Sequence, residues 1–146
     1  MKGTFTATES IRIKAKAERI WDALTNPKLI KLYLFGTEVS SEWKVGSSIT
    51  YQGVWQGKPY KDKGKILELV PKERLRSTFW SSLSGLPDHE DNYNTITYEL
   101  AEAGGETILT ISQDNNPTQD AADHSKANWA SVLTTMKELL ESQHFE

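Results

Sequence analysis

Cysteine is absent from the 146 residues, which removes disulfides, zinc–thiolate sites, iron–sulfur clusters and thiol catalysis. No apolar run approaches the ~20 residues that a bilayer-spanning helix needs. The opening Met1-Lys2-Gly3-Thr4-Phe5 lacks the apolar core of a signal peptide. No membrane span and a cytoplasmic location are therefore expected. Positive charge is not in excess either. The formal net charge is -3, and lysine and arginine are scattered, so nucleic acid is not expected as a partner. Repeats, linkers and low-complexity segments are missing. What is present, 37% hydrophobic and 25% charged residues, suits one globular unit over residues 1–146, large enough to bury a sizeable core.

Hydrophobic periodicity divides the chain. Phe5 to Lys14 alternates as a strand, with Ile11 and Ile13 against Arg12 and Lys14. Ala17 to Thr25 sets Ile20, Trp21 and Leu24 on one helical face. Asn26-Pro27 ends that helix and opens a second, Pro27 to Leu34. Strand-like runs follow at Glu38–Trp43, Ser48–Gln56, Tyr60–Val70, Arg74–Trp80, Tyr93–Glu102 and Thr107–Ser112. Gln56-Gly57-Lys58 and Ala103-Gly104-Gly105-Glu106 read as hairpin turns, Gly53 as a candidate bulge, and Asp114-Asn115-Asn116-Pro117 as turn chemistry. Thr118 to Ser142 is a long helix with Trp129, Val132, Leu133, Met136 and Leu140 on one stripe. The order predicts an α+β fold in which a curved antiparallel sheet wraps a long C-terminal helix.

Period two selects the side chains that face this helix: Ile49, Tyr51 and Trp55; Leu75, Ser77 and Phe79; Ile96, Tyr98 and Leu100; Leu109 and Ile111. One helix does not cover a broad sheet, and several bulky rings on one face are difficult to close without a void. The expectation is a cavity lined by Tyr51, Trp55, Phe79, Tyr98, Trp129, Leu133 and Met136 that takes a hydrophobic or amphipathic small molecule. The long connection Ser81–Asn92 supplies Leu83 and Leu86 for a lid, faced by Tyr33 and Phe35.

Catalytic constellations are lacking. His89, His124 and His144 are far apart, with no metal-ligand spacing. No nucleophile elbow occurs, and Asp88, Glu90, Asp91 and Asn92 do not continue into a calcium loop. No catalytic residue, metal or cofactor is assigned, and an enzyme is not the expected class.

The run Glu18-Arg19-Ile20-Trp21-Asp22-Ala23-Leu24-Thr25-Asn26-Pro27, then Trp43-Lys44-Val45-Gly46, resembles the opening of the SRPBCC superfamily, also called START-like or birch-pollen-allergen-like. Gly64-Lys65-Ile66-Leu67-Glu68-Leu69-Val70-Pro71 with Arg74-Leu75, and Asn128-Trp129 with Val132-Leu133 and Leu139-Leu140, are similar to the branch containing the C-terminal domain of the heat-shock-protein-90 ATPase activator. Tyr33-Leu34-Phe35-Gly36-Thr37, Ser82-Leu83-Ser84-Gly85 and Gln113-Asp114-Asn115-Asn116 bring it nearer to a bacterial subgroup. The resemblance spans nearly the whole chain and implies a helix-grip fold over a deep cavity, a START-like domain. Relatives bind lipids, hormones or polyketides, and the eukaryotic activator works on a chaperone. A protein-interaction or co-chaperone-like module, with a chaperone or other protein as partner, is therefore the alternative to ligand binding. A cyclase- or hydrolase-like enzyme is a weaker one. The chain starts almost directly at the fold, so the separate N-terminal domain of full-length activators is not expected.

Overall fold

The structure, a computed structural model, describes residues 3–34, 36–82 and 84–142, without the side chains of Trp55 and Ser142. The chain opens with β1 (Phe5–Ile13), then α1 (Ala17–Thr25) and α2 (Pro27–Tyr33). A meander follows: β2 (Glu38–Ser41), β3 (Ser48–Trp55), β4 (Lys58–Val70), β5 (Arg74–Phe79), β6 (Asn94–Ala103) and β7 (Glu106–Asn116). Helix α3 (Gln119–Ser142) closes the fold. The strands form one seven-stranded sheet in the order β1-β7-β6-β5-β4-β3-β2, and every pairing is antiparallel. The expected α+β architecture is thus observed: an open curved sheet, a long C-terminal helix and two short helices after the first strand.

Local chemistry sets the boundaries. Asn26 ends α1 and caps α2, its side chain accepting from the Lys28 N–H at 3.0 Å, with Pro27 in the first turn. Thr118 caps α3 by accepting from the Ala121 N–H at 3.0 Å. The β3–β4 and β6–β7 connections have positive φ at Gln56 and Gly57 and at Gly104 and Gly105, the geometry of tight hairpins.

Two turn-related readings change. The β3–β4 register runs unbroken through Gly53, so there is no bulge there. A Cβ at Gly53 would instead stand 2.5 Å from the Tyr60 hydroxyl, and glycine leaves room for that ring. Nor do Asp114, Asn115 and Asn116 form a turn: β7 continues through Asn116. Asn115 donates to the carbonyls of Asp91 and Tyr93, and Asn116 to those of Phe5 and Gln113. These amides replace ladder bonds lost where the β1–β7 register shifts between Phe5 and Ala7 and where β6–β7 pairing ends at Gln113.

Strand β4 links β3 to β5. Its first half pairs with β3 through Lys65, and its second half with β5 from Ile66 onward, with a register shift between Ile66 and Glu68. At Gly64 a Cβ would meet the Thr78 carbonyl oxygen at 1.7 Å, so only glycine lets β4 and β5 approach this closely. The core gathers Ile13, Ile20, Ile66, Leu109, Ile111, Leu133, Met136 and Leu140, each almost without exposure. Helix α3 packs chiefly on β1 and β7, at one side of the sheet. The β3–β5 side is left without a close backbone cover.

Candidate functional site

That uncovered region is a hollow of about 550 Å³ between the inner face of the sheet and the N-terminal half of α3. Tyr51 from β3, Phe79 from β5, Tyr98 from β6 and Trp129 from α3 supply its aromatic wall, with Ile96 and Val132 between them. The Tyr51 and Phe79 rings meet edge to face at 5.4 Å, as do Tyr98 and Trp129 at 6.1 Å, the arrangement that ring quadrupoles favour. The Trp129 indole N–H donates to Gln113 Oε1 at 2.8 Å. All four rings are half-buried, as befits side chains packed on their flanks and open toward a space.

The tyrosines hold their protons. Burial pushes the Tyr51 hydroxyl above its ordinary range; the Asp62 charge adds to this, while a hydrogen bond with Ser77 acts the other way. Burial also raises Tyr98, with Tyr51 and Tyr33 contributing. Both stay neutral phenols at physiological pH.

Of the residues expected at the cavity, Tyr51, Phe79, Tyr98 and Trp129 are brought together. Leu133 and Met136 are fully buried in the core and do not line the hollow. The Trp55 side chain lies outside the described residues. Among the lid residues, Phe35 and Leu83 also lie outside them. Tyr33 is buried, with its hydroxyl donating to the Ala23 carbonyl at 2.8 Å, so it fastens α2 to α1. Leu86 is exposed, and its carbonyl accepts from the Trp80 indole at 3.3 Å, away from the hollow. The loop is held beside Lys63 instead: Asp88 pairs with the Lys63 ammonium and accepts from the Tyr93 hydroxyl at 2.6 Å. These two bonds keep the Asp88 carboxyl below its usual range.

Sequence reasoning missed the polar end of the hollow, formed by Thr37, Tyr60, Asp62 and Ser81. Tyr60 and Asp62 share the inward phase of β4 with Ile66, and a carboxylate on that phase is the signal that could have found the site. His124 and Asn128 add the first turns of α3 at the rim. A second depression, about 610 Å³, lies over Lys63, Lys65, Leu67, Thr78, Glu90 and Tyr93; its lining mixes polar and apolar groups, and Lys63 is already paired with Asp88. Among the described residues no cluster of histidine and carboxylates could hold a metal, and no helix is long and apolar enough to cross a membrane.

No curated protein matches the chain. The solution structure of ChR145 from Cytophaga hutchinsonii is 39% identical over 97% of each chain, with a TM-score of 0.85. The solution structure of the Aha1 dimer from Colwellia psychrerythraea shares the fold at 24% identity, over 94% of this chain and 97% of that one, with a TM-score of 0.75. CalU16 from Micromonospora echinospora does so at 19%, over 92% and 75%, with a TM-score of 0.72. The family described as activator of Hsp90 ATPase homolog 1-like protein matches residues 14–141, and the chain belongs to it.

Proposed function

We propose that this protein is a non-enzymatic binder of a hydrophobic or amphipathic small molecule, held between the sheet and α3. The observation that carries the reading is the aromatic-walled hollow of about 550 Å³, within the ~300–1,000 Å³ typical of ligand pockets. Its placement, where a curved sheet and one helix part company, supports the same reading. Two edge-to-face ring pairs, Tyr51–Phe79 and Tyr98–Trp129, give a flat guest a large contact area at little cost in side-chain entropy. Tyr51, Tyr98, Phe79 and Trp129 hold the body of the guest. The polar groups at the β4 end orient it.

The test is a thermal-shift and fluorescence screen with alkyl and aromatic amphiphiles on the wild type and Asn128→Trp. Asn128 is an exposed rim residue on α3, so a ring there obstructs the entrance while changing stability by only about 0.5 kcal/mol. Compounds that stabilise the wild type and not the variant support the reading. Equal stabilisation of both proteins places binding elsewhere and overturns it. A cytoplasmic location belongs to the same reading. A co-chaperone-like role is the alternative that family membership favours. It predicts instead that a chaperone binds both proteins alike, with no small molecule required.

A further inference from the structure

At the polar end of the hollow, Thr37, Tyr60 and Asp62 offer hydrogen-bond acceptors. Thr37 is buried and has a single hydroxyl proton, which it donates to the Leu34 carbonyl at 2.6 Å. The Tyr60 hydroxyl, 2.6 Å from Thr37 Oγ1, must then be the donor of that bond. Both protons are consumed, and the Tyr60 oxygen keeps only lone pairs to offer. Beside it stands Asp62, 9% exposed and lining the hollow. Asp62 lies opposite Tyr51 in the β3–β4 register. Ser82 donates to Asp62 Oδ1 from its N–H at 3.0 Å and its hydroxyl at 3.4 Å, which fixes the carboxylate. Neither lysine nor arginine is among the described residues that line the space; His124, on α3, is the only basic one.

A nearly buried carboxylate without a lysine or arginine partner disfavours any anion brought beside it and rewards a donor or a cation. Resting on the binding role proposed above, we infer that the ligand carries a hydrogen-bond donor, an amine or a hydroxyl, at the end seated against Asp62, and that carboxylate-ended amphiphiles are rejected. Asp62 is then the residue that sets specificity, while the aromatic wall supplies most of the affinity without discriminating.

Three probes with one ring system and different polar ends test this: naphthylmethylamine, naphthalenemethanol and naphthoic acid. Each is titrated into the full chain by calorimetry, and amide chemical shifts report the site. The amine and the alcohol should bind more tightly than the acid by about tenfold or more, as expected for a like charge a few ångströms from a carboxylate. Asp62→Asn keeps the shape and an acceptor for Ser82 while removing the charge, and it should erase the preference. An acid that binds the wild type as tightly as the amine overturns the inference, as does a preference unchanged in Asp62→Asn, while leaving the binding role standing. If none of the three shifts the amides of Ile96 and Val132, the binding role falls, and the inference with it. The wild-type comparison decides alone should Asp62→Asn fail to fold.

Discussion

Trp129 on α3 and Gln113 on β7 are joined by a 2.8 Å bond from the indole N–H to the side-chain carbonyl, where the helix leaves the sheet and the hollow begins. One turn further along α3 the helix is sealed: Leu133 and Met136 have essentially no exposure. The same apolar stripe therefore serves two environments, a lined space at one end and a close-packed core at the other.

Stability should separate these ends. Met136→Ala and Leu133→Ala are each expected to cost about 2–5 kcal/mol, because each leaves a closed void. Trp129→Ala should cost only about 2 kcal/mol, below the ~3–5 typical of a fully buried tryptophan, since part of the ring already faces open space. Chemical denaturation of the three variants gives the order. A Trp129→Ala loss exceeding both others would show that the ring is sealed and the hollow closed at this point.

The second prediction concerns α1. Its Ala23 carbonyl would bond to the N–H four residues on, but that residue is Pro27, which has none. The Tyr33 hydroxyl takes the place of that N–H at 2.8 Å. Tyr33→Phe keeps the ring and leaves a buried acceptor unpaired, so it should cost about 1–3 kcal/mol. A loss under about 0.5 kcal/mol, usual for surface changes, would mean that water reaches Ala23.

Two glycines in β4 and its neighbour should behave differently. At Gly64 a Cβ meets backbone, the Thr78 carbonyl, whereas at Gly53 it meets the end of the Tyr60 side chain. Gly64→Ala should cost well above about 2 kcal/mol, because the strands must separate. Gly53→Ala should cost much less, yet it displaces Tyr60 from Thr37 and alters the polar end of the hollow. Denaturation combined with titration of the naphthalene alcohol distinguishes stability from binding. Equal losses of stability for the two would refute the distinction between backbone and side-chain clashes.

Element order was legible because each segment carries one clear period, and glycines mark the tight turns at Gly57 and Gly104-Gly105. The face of α3 was legible for the same reason: Ser131, Thr134, Glu138 and Glu141 are exposed, as their spacing demands. Where along that face the sheet closes is not legible, and the spacing that points Leu133 and Met136 at the cavity does not reveal that they lie in the core. Periodicity gives direction around a helix, not distance from a curved sheet. Asp62 does not stand out in the sequence because an aspartate in a strand is ordinarily turned to solvent, and its inward phase emerges only when Tyr60 and Ile66 are read as one row. Asp114 to Asn116 carry the composition of a turn because side chains that make turns also substitute for a broken ladder.

The last prediction follows from the buried phenols. Tyr33, Tyr51 and Tyr98 all have their ionisation pushed above the ordinary range by burial, against about 10 in the unfolded chain. Below pH ~10 both states hold these protons, and the contribution of the three groups to stability is fully present. Above it the unfolded chain releases protons that the folded chain retains, so stability falls as pH rises. The slope is about 1.4 kcal/mol per pH unit for each tyrosine, or ~4 for the three together. A domain of ordinary stability, about 5–15 kcal/mol, should then unfold cooperatively within a few pH units above 10. Tyrosinate absorbance from these residues should appear together with the loss of near-ultraviolet circular dichroism, and Tyr98→Phe should reduce the slope by about one third. Ionisation of all five tyrosines while the dichroism persists would mean that hydroxide reaches Tyr51 and Tyr98 freely. The hollow would then be too wet to hold a phenol in its neutral form.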